Sequence, residues 1–266
     1  MGRKSRSDLM ANAIVYTYPQ GNHGVVDIIC ASEKRFLPPG WEASEDFSRP
    51  GRECPEPAKR EKGKKSEGED MVRSMRRARA NLRRLALSNS FTYFVTLTLD
   101  PAKIDRYDGA AVTKALNRWC DNMVRRHGLR YVLVPEQHKD GAFHFHGFMA
   151  GDGLIAVDSG VEWDGRKVFN LPQWTLGYTT AQELYGEYSA AVGYCCKYIG
   201  KQQGQRPLGR WYYSGGALAK PEKSYVCLGY RELAEEYKND AIELEIPGSK
   251  LLVIHANSKN IGISDK

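Results

Sequence analysis

LRYVLVPEQHKDGAFHFHGFMA, residues 129–150, is the stretch that decides how this chain folds. Two apolar runs of strand-forming residues flank the turn-forming HKDG. In the second run His144 and His146 alternate with Phe143 and Phe145, and a side-chain period of two sends both imidazoles to one face of a sheet. A three-residue loop, Lys139-Asp140-Gly141, with Gly141 left-handed, is a standard hairpin solution and pairs Glu136 with His144. Cross-strand partners share a face, so Glu136, His144 and His146 converge, with His138 at the loop end as a further candidate. A two-residue loop would turn Gln137 to that face instead. Two neutral imidazoles and a hard carboxylate, with positions open to water and phosphate, suit Mg²⁺ or Mn²⁺ better than a closed zinc site. Two satisfied structural histidines would leave the same short H-x-H pattern.

Working outward, FTYFVTLTLD (91–100) alternates Phe94, Thr96 and Thr98 with Val95, Leu97 and Leu99, which predicts a further strand. Gly109 to Arg126 reads as a helix ended by Gly128. Another helix is expected from Tyr188 to Gln203, where YCCKYIGK places Tyr194, Lys197, Tyr198 and Lys201 at i, i+3, i+4 and i+7. Val192, Cys195, Cys196 and Ile199 take the opposite, core-facing side. The tyrosines are then left to face a site flanked by lysines. A phenol with a pKa of about 10 needs nearby positive charge to act as a nucleophile at neutral pH, and Lys197 and Lys201 are the candidates to supply it.

Met71 to Asn89 is expected to be a helix with Met71, Met75, Ala78, Leu82 and Leu85 on one face. Arg73, Arg76, Arg77, Arg79, Arg83 and Arg84 cover the rest, a stripe suited either to gripping DNA phosphates or to a solvated surface. Residues 1–49 read as an N-terminal hairpin segment, from NAIVYTY and VVDIICA, and 50–70 as a charged, Gly/Pro-rich linker or loop. Residues 71–220 form the main domain, and 221–266 a C-terminal extension with a helix and two short strands. The whole is an α+β protein in which an antiparallel sheet is flanked by helices.

Among 266 residues, Lys and Arg outnumber Asp and Glu by 39 to 32, a net charge of +7 that favours an anionic partner. Six cysteines form no C-x-x-C pair, which points to a reducing cytoplasm rather than to a zinc knuckle or disulfide framework. MGRKSRSD leads into no long apolar stretch, so neither a signal peptide nor membrane association is expected. The string Gly160 to Lys167 has the glycine spacing of a P-loop but Arg166 where lysine is required, so ATP binding is not expected.

TLT on one strand, H-x-H on a later strand and YxxKYxxK on a helix, in that order, resemble the rolling-circle replication initiators of the HUH endonuclease superfamily. The likeness is to the two-tyrosine group, phage gene A-like and plasmid Rep proteins. It spans roughly Asn89 to Lys220 and includes the tail GRWYYSGGALAKP. It implies a ferredoxin/RRM-like HUH nickase domain, a metal pair at His144 and His146 with Glu136 as acidic ligand, and nucleophiles at Tyr194 and Tyr198. It further implies single-stranded origin DNA, hairpin forms included, as substrate, a covalent 5′-phosphotyrosine, and a host helicase and polymerase as partners. The same chemistry serves HUH transposases and relaxases. A reading of another class is a non-catalytic single-stranded nucleic-acid-binding module, with aromatic rings stacking bases and arginines holding phosphates.

Overall fold

The computed structural model describes residues 11–21, 24–33, 36, 67–185, 188–201, 206–246 and 249–257. The expected linker at 50–70 lies largely outside the described residues, and the arginine helix begins within it, at Glu67. The protein is α+β, with two antiparallel sheets and, among the described residues, four helices. The chain divides into two units: Ser66–Lys220 with Gln20–His23, and a smaller unit drawn from both ends of the chain.

In the larger unit the strands are β3 (Tyr93–Leu99), β4 (Arg130–Gln137), β5 (Phe143–Ala150), β6 (Val157–Trp163), β7 (Arg166–Asn170), β8 (Gly177–Glu183) and β9 (Tyr213–Gly215). They order as β6-β7-β8-β3-β5-β4-β9. The alternation seen in the sequence sorts the two faces. Val95, Leu97, Leu99, Phe143, Phe145 and Met149 pack with Val112, Leu116, Trp119, Cys120 and Met123 of helix α2 (Gly109–His127). That helix starts where Asp108 accepts hydrogen bonds from the Ala110 and Ala111 amides and ends on left-handed Gly128. The opposite face carries Phe94, Thr96, Thr98, His144 and His146. Helix α3 (Tyr188–Lys201) packs against β4 and β5 and against helix α1 (Glu67–Leu87), whose buried residues include Ala78, Leu82 and Ala86.

The hairpin register is the one expected from a three-residue turn. Glu136 pairs with His144 and Gln137 with Phe143, His138 N–H donates to the Ala142 carbonyl at 2.9 Å, and Gly141 has φ +91°. A side chain with a Cβ is strained at that φ, so the turn depends on glycine.

The smaller unit is a sheet ordered β10-β1-β2-β12-β11, with β1 (Ala13–Thr17), β2 (Val25–Ala31), β10 (Glu222–Val226), β11 (Ile242–Ile246) and β12 (Ser249–Asn257). Strand β2 pairs with β1 on one side and β12 on the other, so the expected terminal hairpin and the C-terminal strands share one core around Ile28, Cys30, Leu252 and Ile254. Helix α4 (Tyr230–Glu236) contributes Tyr230, Leu233 and Ala234 to its edge. Buried Asp27 accepts from Tyr18 at 2.6 Å and meets His255 Nδ1 at 2.7 Å.

Gly147 is the tightest point of the central strand: a Cβ there would run into the Val132 carbonyl oxygen and lie 2.9 Å from Leu133 Cα. Backbone cannot yield as a flexible side chain can. Gly147→Ala is expected to destabilise the larger unit by about 3 kcal/mol, the upper end for overpacking, seen as a lower midpoint in chemical unfolding.

Candidate active site

The paired strands β4 and β5 bring Glu136 and His146 together: Oε2 and Nε2 are 2.7 Å apart. Glu136 Oε1 also lies 3.5 Å from Lys201 Nζ, on α3. His146 Nε2 is nonetheless buried without a well-directed hydrogen bond. On the other ring nitrogen, Thr96 Oγ1 sits 3.1 Å from His146 Nδ1, and one step along the strands Thr98 Oγ1 sits 3.2 Å from His144 Nδ1. A threonine that accepts from Nδ1–H fixes each ring and leaves the Nε2 lone pair available. The TLT strand thus orients the histidines, a role its residue types did not announce.

Burial lowers the pKa of both histidines. His144 falls to about 4, helped by the neighbouring His138 and His146, and His146 falls against the opposing pull of the Glu136 carboxylate. Both rings are therefore neutral at physiological pH, the state in which imidazole binds a metal. The donor chemistry of Glu136 and His146, a buried imidazole nitrogen 2.7 Å from a carboxylate oxygen, fits a divalent cation. His144 shares their sheet face but stacks on His138 at 3.9 Å between ring centroids. Among the described residues, no three His, Cys, Asp or Glu side chains stand close enough to hold an ion as they are.

Helix α3 lays its two tyrosines against the sheet in different ways. Tyr198 is buried, its ring stacked on His146 at 4.1 Å and 12°. Tyr194, one turn earlier, is 49% exposed and packs edge-on to Phe94. The Tyr198 hydroxyl donates to the Tyr194 oxygen at 2.9 Å. The apolar stripe of Val192, Cys195, Cys196 and Ile199 is buried as expected.

The lysines divide. Lys201 reaches the site, lying 4.5 Å from the centre of the Tyr198 ring, while Lys197 is exposed and, among the described contacts, meets neither hydroxyl. The expected phenolate stabilisation does not appear at Tyr198. Burial, then the hydrogen bond it donates to Tyr194, pushes its pKa up, and Lys201 lies over the ring face rather than at the oxygen. In α1, Arg73, Arg76, Arg77 and Arg79 are exposed, but Arg83 and Arg84 are half-buried and partnered, so the arginines do not form one uniform solvent stripe. The helix turns those two toward the body as Leu82 and Ala86 enter the core.

A cavity of about 790 Å³ opens beside these groups and is lined by Thr96, His146, Tyr194 and Tyr198. Its far side is the β6–β7 hairpin, which residue patterns had flagged only as a broken P-loop. Asp164-Gly165 in fact form its two-residue turn, both with positive φ (52° and 69°). Asp-Gly between strand residues was the available signal.

Residues 92–203 match the model of a family described as Replication-associated protein ORF2/G2P, which supports a role as a replication initiator. The matched span runs from the start of β3 to the end of α3 and so contains Glu136, both histidines and both tyrosines. Neither curated proteins nor solved structures gave a match. Among the described residues, no helix is long and apolar enough to cross a membrane.

The His144 shift carries a sign. Its pKa is lower folded, about 4, than the ordinary 6.5, so the folded state favours the neutral ring. That contribution to stability is complete above pH 6.5 and is lost as pH falls from 6.5 toward 4. With a chelator present, NMR titration should show the His144 ring protonating near pH 4, and His144→Phe should flatten the acid side of the stability profile.

Proposed function

We propose that this chain is a two-tyrosine rolling-circle initiator of the HUH type, which nicks and rejoins single-stranded origin DNA through a 5′-phosphotyrosine, with residues 71–220 as the nickase domain. One observation carries the reading: two hydrogen-bonded phenols on one helix turn, the inner one stacked on a neutral histidine that faces a carboxylate. An ordinary amphipathic helix has no reason to hold one phenol over such a donor set with a second phenol hydrogen-bonded to it. A divalent cation, Mg²⁺ or Mn²⁺, held by Glu136, His146 and His144, would supply Lewis-acid polarisation of the scissile phosphate.

The side chains do the rest. Tyr194 is the exposed nucleophile; its oxygen attacks phosphorus, its proton passes to solvent, and the 3′ oxygen leaves and takes up a proton to become a free 3′-hydroxyl. Tyr198 donates to that oxygen and so stabilises charge as it develops. Thr96 and Thr98 hold the histidine rings. Lys201 neutralises part of the charge on Glu136 and places a cation near the phosphate. The arginines of α1 grip the strand away from the chemistry. Two nucleophiles one turn apart let the second cut a regenerated origin and release the first, which favours replication over the transposase and relaxase readings. Unwinding and extension fall to a host helicase and polymerase.

Incubation of the full chain with Mn²⁺ and labelled single-stranded DNA should give a covalent protein–DNA band. His146→Ala and Glu136→Ala should abolish it with little loss of DNA binding. Tyr194→Phe should lose most of the product and Tyr198→Phe a smaller share, while the double variant should give none. Adduct mapped to a tyrosine outside this pair would overturn the assignment, and a wild-type chain that binds DNA without any adduct would favour the binding-module reading.

Combined Arg73→Ala, Arg76→Ala and Arg77→Ala should lower the slope of log affinity against log salt by about 2–3, since each lost phosphate contact removes slightly less than one released counterion. An unchanged slope would leave this helix as scaffold.

A further inference from the structure

The cavity beside the tyrosines continues past them to Trp163, Arg166, Gln182 and Tyr185. Trp163 and Arg166 face each other across the Asp164-Gly165 turn, and cross-strand partners project to one side of a hairpin. The hairpin is anchored to the sheet through the pair Phe169–Ala181, and a register shift between Asp158 and Val161 adds twist to it. Its tip therefore presents an indole that is 73% exposed, beside Tyr185 at 56%, with the Arg166 guanidinium 5.2 Å above the Tyr185 ring.

Large flat rings left in water beside a cavity, with a guanidinium and a primary amide at hand, form a specific chemistry. The rings offer stacking surfaces, Arg166 offers planar donors to an anion or a base acceptor, and the Gln182 amide both donates and accepts. An apolar ligand would use none of the polar groups, and a phosphate alone would not use the rings. We infer that the Trp163–Arg166–Tyr185 end of the cavity holds an unpaired nucleobase next to the phosphate at Tyr194, and that it helps to set where the strand is cut. The base contact stands on the cavity itself; its link to the cut position rests on the nicking reading above.

The test uses the full chain as wild type, Trp163→Ala and Trp163→Phe, since an indole so exposed can be removed without opening the core. Fluorescence anisotropy with short labelled dT, dA and dC homopolymers, chelator present, reads binding alone. Trp163→Ala should bind at least one homopolymer about tenfold more weakly, and Trp163→Phe should recover most of the loss, because stacking needs a ring and not an indole N–H. With Mn²⁺ and a randomised single-stranded pool, sequencing of adduct-bearing products should show a base preference beside the cut that Trp163→Ala erases. Equal affinity of Trp163→Ala and wild type for all three homopolymers, or an unaltered preference beside the cut, overturns the inference. A wild-type chain that forms no adduct while Trp163→Ala still loses affinity supports the base site and removes the nicking reading, so the two failures are distinguishable.

Discussion

The pairing of β4 with β5 is the constraint on which everything else in the larger unit rests. Side chains on a strand alternate faces, so slipping this hairpin by one residue would send Glu136 into the core beneath and lift Pro135 or Gln137 in its place. The register is held by a three-residue turn that closes only because Gly141 accepts a positive φ, and by Gly147, where the backbones of β5 and β4 come too close for any Cβ. On one face this buries Phe145 and Leu97 completely. On the other it sets His146 against Glu136, and β3 then adds a threonine behind each histidine. Core and site are two faces of one register, and neither can shift without the other.

Much of this was legible in residues 91–150, because a period of two, a turn glycine and a polar pair on one face are local signals. The stripe of α3 was legible for the same reason. What a stripe does not reveal is which part of it meets the sheet. Tyr194 and Tyr198 are equivalent in spacing, yet docking on β5 lays Tyr198 over His146 and leaves Tyr194 in water. Lys197 and Lys201 separate likewise, only the latter reaching Glu136. The β6–β7 hairpin was obscured because the glycines of its Asp-Gly turn and bulge happen to have phosphate-loop spacing. Of the terminal sheet only the local pieces were legible, the β1–β2 hairpin and the C-terminal helix and strands; that β2 also pairs with β12, Cys30 opposite Leu252, was not, because no pattern in either strand names its partner.

Charge is distributed by depth. The neutral histidines lie at the floor, where burial makes an added proton costly. Lys201 stands at the rim, between Glu136 and the Tyr198 ring. Arg73, Arg76, Arg77 and Arg79 of α1 are exposed, well suited to long-range attraction of an anion and poorly suited to chemistry in a desolvated site. In the proposed reaction such an order lets a polyanion be drawn in by groups that keep their water toward histidines that have largely lost theirs.

The inequality of the two tyrosines has its own consequence within the proposed reaction. Tyr198 is held by a stacked imidazole, a lysine over its ring and a hydrogen bond to Tyr194. To attack a phosphate it must give up the hydrogen bond and rotate from the stack, contacts worth about 1 kcal/mol each. Tyr194 gives up little, since half of it already faces solvent. Once Tyr194 carries a 5′ phosphate, however, its oxygen is an ester and a weaker acceptor, and the bond that restrained Tyr198 is weakened. Formation of the first covalent link therefore releases the second nucleophile, and the order of the two cuts follows from which phenol is buried rather than from any difference in their intrinsic chemistry.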